Sequence, residues 1–201
     1  MAVRYSFILI PDPSFLRLIH TSRQILCNQF GCWTAEMFMI HVPLINFFQS
    51  TPEEIESNKG LINQIVSDVT NKNLVLVPTG ITKQTAETSD LYINCTYPNG
   101  DSPFEGIRGR LIEELKIEHF DNKERVLQIP LLENFQGNNT VFEEALEMAT
   151  DLFDNFGLDT PFDVKSLNLV KYHSRTASEK WEREKWCSDI SWDILESFKL
   201  G

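Results

Sequence analysis

Two stretches decide how this chain is read: HVPLINFFQ at residues 41–49 and QIPLLENFQ at residues 128–136. They share the pattern x-P-L-[IL]-x-x-F-Q, and every matched pair has one offset. His41 and Gln128 lie 87 positions apart (128 − 41), as do Pro43 and Pro130, Leu44 and Leu131, Phe48 and Phe135, and Gln49 and Gln136. The same order of elements surrounds both strings. Upstream, DPSFLRLIHTSRQIL (12–26) and DSPFEGIRGRLIEEL (101–115) each read as a turn, a Phe and an amphipathic helix. The first of these helices runs from about Phe15 to Gln29, carries Leu16, Ile19, Arg23 and Leu26 at helical spacing, and ends at Gly31. Further upstream, YSFILIP (5–11) and LYINCTYP (91–98) read as strands closed by proline, again 87 apart at Pro11 and Pro98.

Downstream, Thr51, Pro52 and Glu54 form an N-cap, first-turn proline and capping-box set for a helix carrying Ile55, Leu61, Ile62, Ile65 and Val69. Asn139 or Thr140 caps its counterpart, which runs through Phe153. The strands Met37–Phe48 and Arg125–Gln136 hold the two strings, and NLVLVP (73–78) and SLNLVKYH (166–173) close the halves. Leu74 and Leu167 are 93 apart (167 − 74), so the second half is about six residues longer late in its course. This is an internal repeat of a β-α-β-α-β unit. The competing reading, two unrelated halves that both alternate helix and strand, does not account for the shared string. The expected organisation is a single two-lobed domain over 1–201, with lobe 1 at about 4–80, lobe 2 at about 90–175 and a tail at 176–201. Thr79–Asp90, polar and threonine-rich, is the expected linker. In the tail, Trp181, Trp186 and Trp192 suit covering a sheet edge or the repeat interface better than binding bases.

A net charge of −11 opposes binding to long nucleic acid, which needs a basic stripe, but leaves room for a small anionic ligand in a locally positive cleft. No apolar run approaches the roughly 20 residues of a membrane span. The first apolar run is short and broken by Pro11 and Pro13, so no signal peptide is read and a cytoplasmic location is expected. Cys27, Cys32, Cys95 and Cys187 show no C-x-x-C spacing and read as reduced, mostly buried thiols. There is no P-loop, dinucleotide fingerprint, H-E-x-x-H or nucleophile elbow, and no His–Cys cluster; neither a metal nor a cofactor is expected.

At the paired strings the chain resembles the two-histidine phosphoesterase superfamily, the 2′-5′ RNA ligase-like proteins and cyclic phosphodiesterases. The resemblance covers about residues 4–173. It implies an α+β fold: two pseudo-symmetric β-α-β-α-β lobes with mainly antiparallel sheets facing a central cleft and helices outside. In that family each lobe carries His-x-Thr or His-x-Ser on a strand, and the two histidines face each other. Opening a 2′,3′-cyclic phosphate needs a base to activate water and an acid to protonate the leaving oxygen, and two imidazoles serve near pH 7. The hydroxyl two residues along the strand shares the histidine's face.

The resemblance implies His41 as the first catalytic histidine and places Gln128 at the second; from its residues alone His41 reads either as ligand-facing or as a satisfied core histidine. Gln donates a hydrogen bond but carries no proton through a reaction. Pro43 and Pro130 replace the two ligand-binding hydroxyls; proline at both sites suggests a kept local shape such as a bulge. Lys171, His173 and Arg175 alternate at the end of the last strand, so they read as an anion-binding wall or as an exposed strand end. His20 reads as a helix residue and His119 as a loop residue. Three functions remain open: a divergent phosphodiesterase acting on a cyclic phosphate or a short 2′-5′-linked oligonucleotide, a pseudoenzyme holding a nucleotide or phosphate ligand, and a protein-interaction module using the tail.

Overall fold

A computed structural model describes residues 2–68, 74–85, 89–98, 100–118 and 127–200. The chain runs through β1 (Ala2–Pro11), α1 (Pro13–Phe30), a 3-10 turn at Thr34–Met37, β2 (Val42–Phe48), α2 (Pro52–Ser67) and β3 (Val75–Gln84). It continues through β4 (Ser89–Thr96), α3 (Pro103–Glu114), β5 (Leu127–Phe135), α4 (Asn139–Asn155), β6 (Phe162–Ser174), α5 (Arg183–Trp186) and β7 (Ser191–Lys199). The order β-α-β-α-β thus occurs twice, as the sequence suggests, and all strand pairings are antiparallel.

Local chemistry explains the helix ends. Asp12 caps α1 by accepting from the N–H of Ser14 and Phe15, Pro13 stands in the first turn, and Gly31 closes the helix at φ +65. Thr51 and Glu54 form the expected capping box. The reading of Val69 on α2, the loop reading of His119, and Asn73 and Arg125 at the starts of their strands lie outside the described residues.

The sheets do not follow the halves of the sequence. One is β2-β1-β6-β7, the other β5-β4-β3, and they touch where the starts of β3 and β6 pair. The third strand of each half has therefore crossed over: β3 lies beside β4, and β6 lies beside β1. Helices follow their sheets. α1 and α4 pack on β5 and β3, whereas α3 packs on β2 and α2 on β7. The boundaries 4–80 and 90–175 thus describe the order of elements along the chain, while each layer is built from both halves. The expected linker Thr79–Asp90 is largely strand. Thr79, Ile81 and Thr82 suit a pleated ladder, and β3 continues to Gln84 before β4 begins at Ser89.

The two strings carry the same irregularities. Phe7 pairs with Ile45 but Ile8 with Pro43, so Leu44 is an extra residue; Leu91 pairs with Leu132 but Tyr92 with Pro130, so Leu131 is its counterpart. Proline has no N–H for a ladder and is tolerated beside such a bulge. A second bulge follows in each strand, where Phe47 (φ +48) and Asn134 (φ +58) both take the left-handed conformation. Each bulge N–H is met by a side chain from the neighbouring strand: Phe47 N donates to Ser6 Oγ at 2.9 Å and Asn134 N to Asp90 Oδ1 at 2.7 Å. Ser6 and Asp90 are thus equivalent, at an offset of 84 (90 − 6). The Pro11–Pro98 match at 87 is not the structural alignment of the first strands.

The strand expected over Met37–Phe48 begins only at Val42. Residues 34–41 spend their carbonyls on side chains instead of a ladder. Arg23 Nη1 donates to Ala35 O and Phe38 O, and His41 Nδ1–H donates to Met39 O.

Candidate functional site

Each sheet buries one face under its helices and turns the other toward the opposite sheet. On β4 the helix side takes Leu91, Ile93 and Cys95, leaving Asp90, Tyr92 and Asn94 on the inner face. On β1 and β6 the inner face carries Arg4, Ser6 and Ile8 beside Asn168, Val170 and Tyr172.

Gln128 sits on the inner face of β5, opposite Asn94. Its Nε2 donates to Asn94 Oδ1 at 2.9 Å, and Asn94 Nδ2 donates in turn to Thr82 Oγ1. Gln84 Nε2 reaches Gln128 Oε1 at 3.5 Å. Gln128 is therefore the middle of a row of neutral amides and a hydroxyl crossing three strands. Such a row can donate to an anion's oxygens but has no group that changes protonation near neutrality.

His41 stands one residue before β2 and is 4% exposed. Its Nδ1–H donates to Met39 O at 2.7 Å. In the neutral ring this leaves Nε2 as the basic nitrogen, the tautomer a general base needs. The Phe38 ring lies 6.5 Å away, centroid to centroid. Pro43 pairs with Ile8 on the inner face of one sheet and Pro130 with Tyr92 on the inner face of the other. Arg23, on α1, ties the two motif regions together, since its Nε donates to Pro130 O at 2.8 Å while Nη1 holds Ala35 O and Phe38 O.

Lys171, His173 and Arg175 do not line this face. Lys171 pairs with Tyr5 and His173 with Val3, on the side opposite Tyr172, and Arg175 lies beyond the strand. His173 Nε2–H donates to Asp193 Oδ2 at 3.0 Å, and Arg175 is exposed. Alternation puts Lys171 and His173 together as expected, but on the outer face. His20, 53% exposed, lies on α1 near Glu36.

The charges on the inner face come from residues the sequence does not single out. Arg183 Nη2 donates to both oxygens of Asp90 at 2.9 Å and lies 3.8 Å from Glu133 Oε1. Tyr92 donates its O–H to Asp90 Oδ2 at 3.2 Å. Arg183 loses solvation here, but Asp90, Glu133 and Tyr92 outweigh that and raise its pKa further. Burial pushes the Glu133 carboxyl up to about 7; Asp90 adds to the rise, and Arg183 and Arg23 oppose it. Burial likewise raises the Tyr92 phenol.

The Glu133 shift sets a testable sign. Between its ordinary value of 4.5 and about 7, the unfolded chain holds this carboxylate ionised while the folded chain holds it protonated. Folding then takes up a proton, so this group's contribution to stability is complete below pH 4.5 and is lost as pH rises toward 7. Urea unfolding of the parent chain and Glu133→Gln across pH 4.5–7 should diverge, the parent losing up to about 1.4 kcal/mol per pH unit relative to the variant. Parallel curves would show that Glu133 is ionised in both states.

All four cysteines are free and buried, and desolvation raises each thiol's pKa, so none is an activated nucleophile. A cavity of about 470 Å³ on the helix side is lined by Phe48, Glu54, Ile55, Asn58 and Lys116, among others, and by neither motif residue. No helix among the described residues is long and apolar enough to cross a membrane.

No protein-family model matches the chain, and no curated relative does. Solved structures do match. Escherichia coli LigT in complex with 3′-AMP superposes with a TM-score of 0.57 at 11% identity, covering 100% of this chain and 99% of that one. The protein TT0787 of Thermus thermophilus gives 0.57 at 15% identity over 98% and 97%. A structure described as a phosphoesterase gives 0.52 at 11% over 100% and 99%. At these identities the likeness is one of fold: the chain shares the fold of these solved structures over nearly its whole length.

Proposed function

We propose that this chain is a divergent phosphoesterase acting on a small phosphate ester, a 2′,3′-cyclic nucleotide or a short 2′-5′-linked oligonucleotide, with His41 as the one proton-carrying member of the pair. The observation that carries this reading is the state of His41. It stands at the motif position on a LigT-like fold, with its Nδ1–H on Met39 O, so that the neutral ring carries its basic lone pair on Nε2. His41 activates the attacking water. Gln128, whose amide has a second N–H beyond the one given to Asn94, donates to a phosphate oxygen. The leaving oxygen has no acid of matched pKa on the amide row, so turnover is slow, about 10²–10⁴-fold below a two-histidine site. The 3′-AMP in LigT supports a nucleotide-sized ligand.

The test is phosphorus NMR of 2′,3′-cyclic AMP over hours with the parent chain and His41→Ala. Slow hydrolysis that disappears in the variant supports the reading, and hydrolysis that persists in the variant refutes it.

A second reading, ligand binding without turnover, is favoured by one observation: Gln128 is already committed to the amide row. Saturable shifts of the nucleotide signal without hydrolysis would select it. Trp181 and Trp186 are packed inside their own chain and offer nothing to the third reading, docking of a protein partner, which would have to use the exposed Trp192, Ile194 and Leu195 of β7.

A further inference from the structure

We propose that residues 175–190 form a hinged lid over the face of β1 and β6 that looks toward the other sheet, closed in this structure and latched by Arg183 on Asp90. The proposal rests on the reading of that inner face as the phosphate-ester site, and it assigns the regulation of access to it.

The segment has the anatomy of a closed loop. It leaves β6 after Ser174 and returns in β7 at Ser191, which pairs with His173, so both ends are held side by side on neighbouring strands. Asp189 clasps the base, accepting from Ser174 Oγ at 2.6 Å, Arg175 N at 2.7 Å, Thr176 Oγ1 at 2.9 Å and Thr176 N at 3.1 Å. A compact loop with its ends together can open by local unfolding, breaking its own turn bonds, without unpairing the strands that carry it.

What the loop covers is the site. Ala177, Trp181, Trp186, Cys187 and Ile190 are buried against Ile8, Val170 and Tyr172 of the inner face. Trp181 and Trp186 stack on each other at 6.4 Å, and Arg4 lies over Trp181 at 5.5 Å. Trp186 meets Phe38 edge-on at 5.5 Å, and Phe38 is the ring against His41. His41 is 4% exposed behind this stack. A nucleotide reaches His41 only if the stack moves.

The latch joins the loop to the other sheet. Arg183 takes both oxygens of Asp90 at 2.9 Å, the bidentate geometry that makes guanidinium–carboxylate pairs strong and directional. Its partners Asp90 and Tyr92 come from β4 and Glu133 from β5, so the loop bridges the two sheets and holds them together across the gap a ligand would enter. Opening exposes the Asp90 carboxylate, which repels a phosphate, as well as the neutral row of Gln128, Asn94 and Thr82, which accommodates one. A phosphate ester therefore settles on the His41–Gln128 side of the gap and not over Asp90.

A lid sets a quantitative relation. When only the open form binds, apparent affinity scales with the open fraction. Releasing the latch should speed exchange of the lid amides and tighten the ligand by the same factor. Native-state hydrogen exchange is followed at the turn-bonded amides of Trp186, Cys187 and Ile190 and at Phe7 and Leu169 of β1 and β6, in the parent chain and in Arg183→Met. The lid amides of the parent should exchange through an opening that leaves Phe7 and Leu169 protected. In the variant they should exchange about ten- to a hundredfold faster, the loss of one charge-assisted pair, and 2′,3′-cyclic AMP should bind tighter by a like factor. Lid amides that exchange in the parent only together with Phe7 and Leu169 would overturn the lid, and that measurement decides even if Arg183→Met does not fold. Lid amides that open while 2′,3′-cyclic AMP binds neither protein would leave the lid standing and refute the phosphate-ester site beneath it.

Discussion

On the proposed reading, Gln128→His should raise hydrolysis of 2′,3′-cyclic AMP by about 10²–10⁴-fold, the usual worth of one general acid or base. The position is prepared for it. Gln128 lies on the inner face of β5, half-buried, with Asn94 Oδ1 at 2.9 Å from its Nε2. A histidine there has an Nδ1–H to give to Asn94, which fixes the tautomer and presents Nε2, as Met39 O does for His41. An imidazolium at this place supplies the proton that the leaving oxygen lacks. Pro130 offers a ligand no hydroxyl, which limits the gain. Any closure of the inner face acts on parent and variant alike and cancels in the ratio. A folded Gln128→His variant that binds 2′,3′-cyclic AMP without turning it over would end the catalytic reading and leave the binding one.

Arg23→Met destabilises the fold by about 3–5 kcal/mol, the range for removing one member of a buried charged network. Arg23 is 1% exposed. Its three hydrogen bonds end on backbone carbonyls of two distant segments: Ala35 and Phe38 before β2, and Pro130 within β5. Each loses this donor where water does not reach, Ala35 O keeping only Phe38 N at 3.4 Å, at about 1–3 kcal/mol apiece. Methionine keeps most of the apolar stem, so the loss reports the guanidinium and not a cavity. Burial lowers the Arg23 pKa, and Glu133 and Glu36 work against that. The measurement is urea unfolding at pH 7. A loss below about 1 kcal/mol would show that water replaces the guanidinium at all three carbonyls.

What the sequence made legible followed from short-range chemistry. Asp12 with Pro13, and Thr51 with Pro52 and Glu54, mark helix starts through bonds closed within three residues. The paired strings carried the bulges, because a proline with no N–H at the same place in both strands forces a similar irregularity. Long-range partners were not legible. Arg23 appears on the apolar stripe of α1, but nothing local says that its guanidinium crosses to Pro130. Asp90 read as part of a linker because its partner, Arg183, lies 93 positions away (183 − 90). Lys171 and His173 were placed on one face by alternation, but which face turns inward depends on pairing with β1, and alternation alone does not settle that.

The crossing of β3 and β6 between the sheets bears on how the chain is made. A ribosome emitting residues in order delivers β1 and β2 early, yet β1 lacks its second neighbour until β6 emerges some 160 residues later. Until then its inner edge is an open template for any passing strand, including one from a second nascent chain. Neither half can close a sheet of its own, so folding cannot proceed lobe by lobe during synthesis. The pairing of β1 with β6 spans nearly the whole length, which places the chain among high-contact-order folds that are slow to form and exposed to aggregation while they wait. Truncation anywhere before Ser174 should therefore yield insoluble protein and no independently folded lobe.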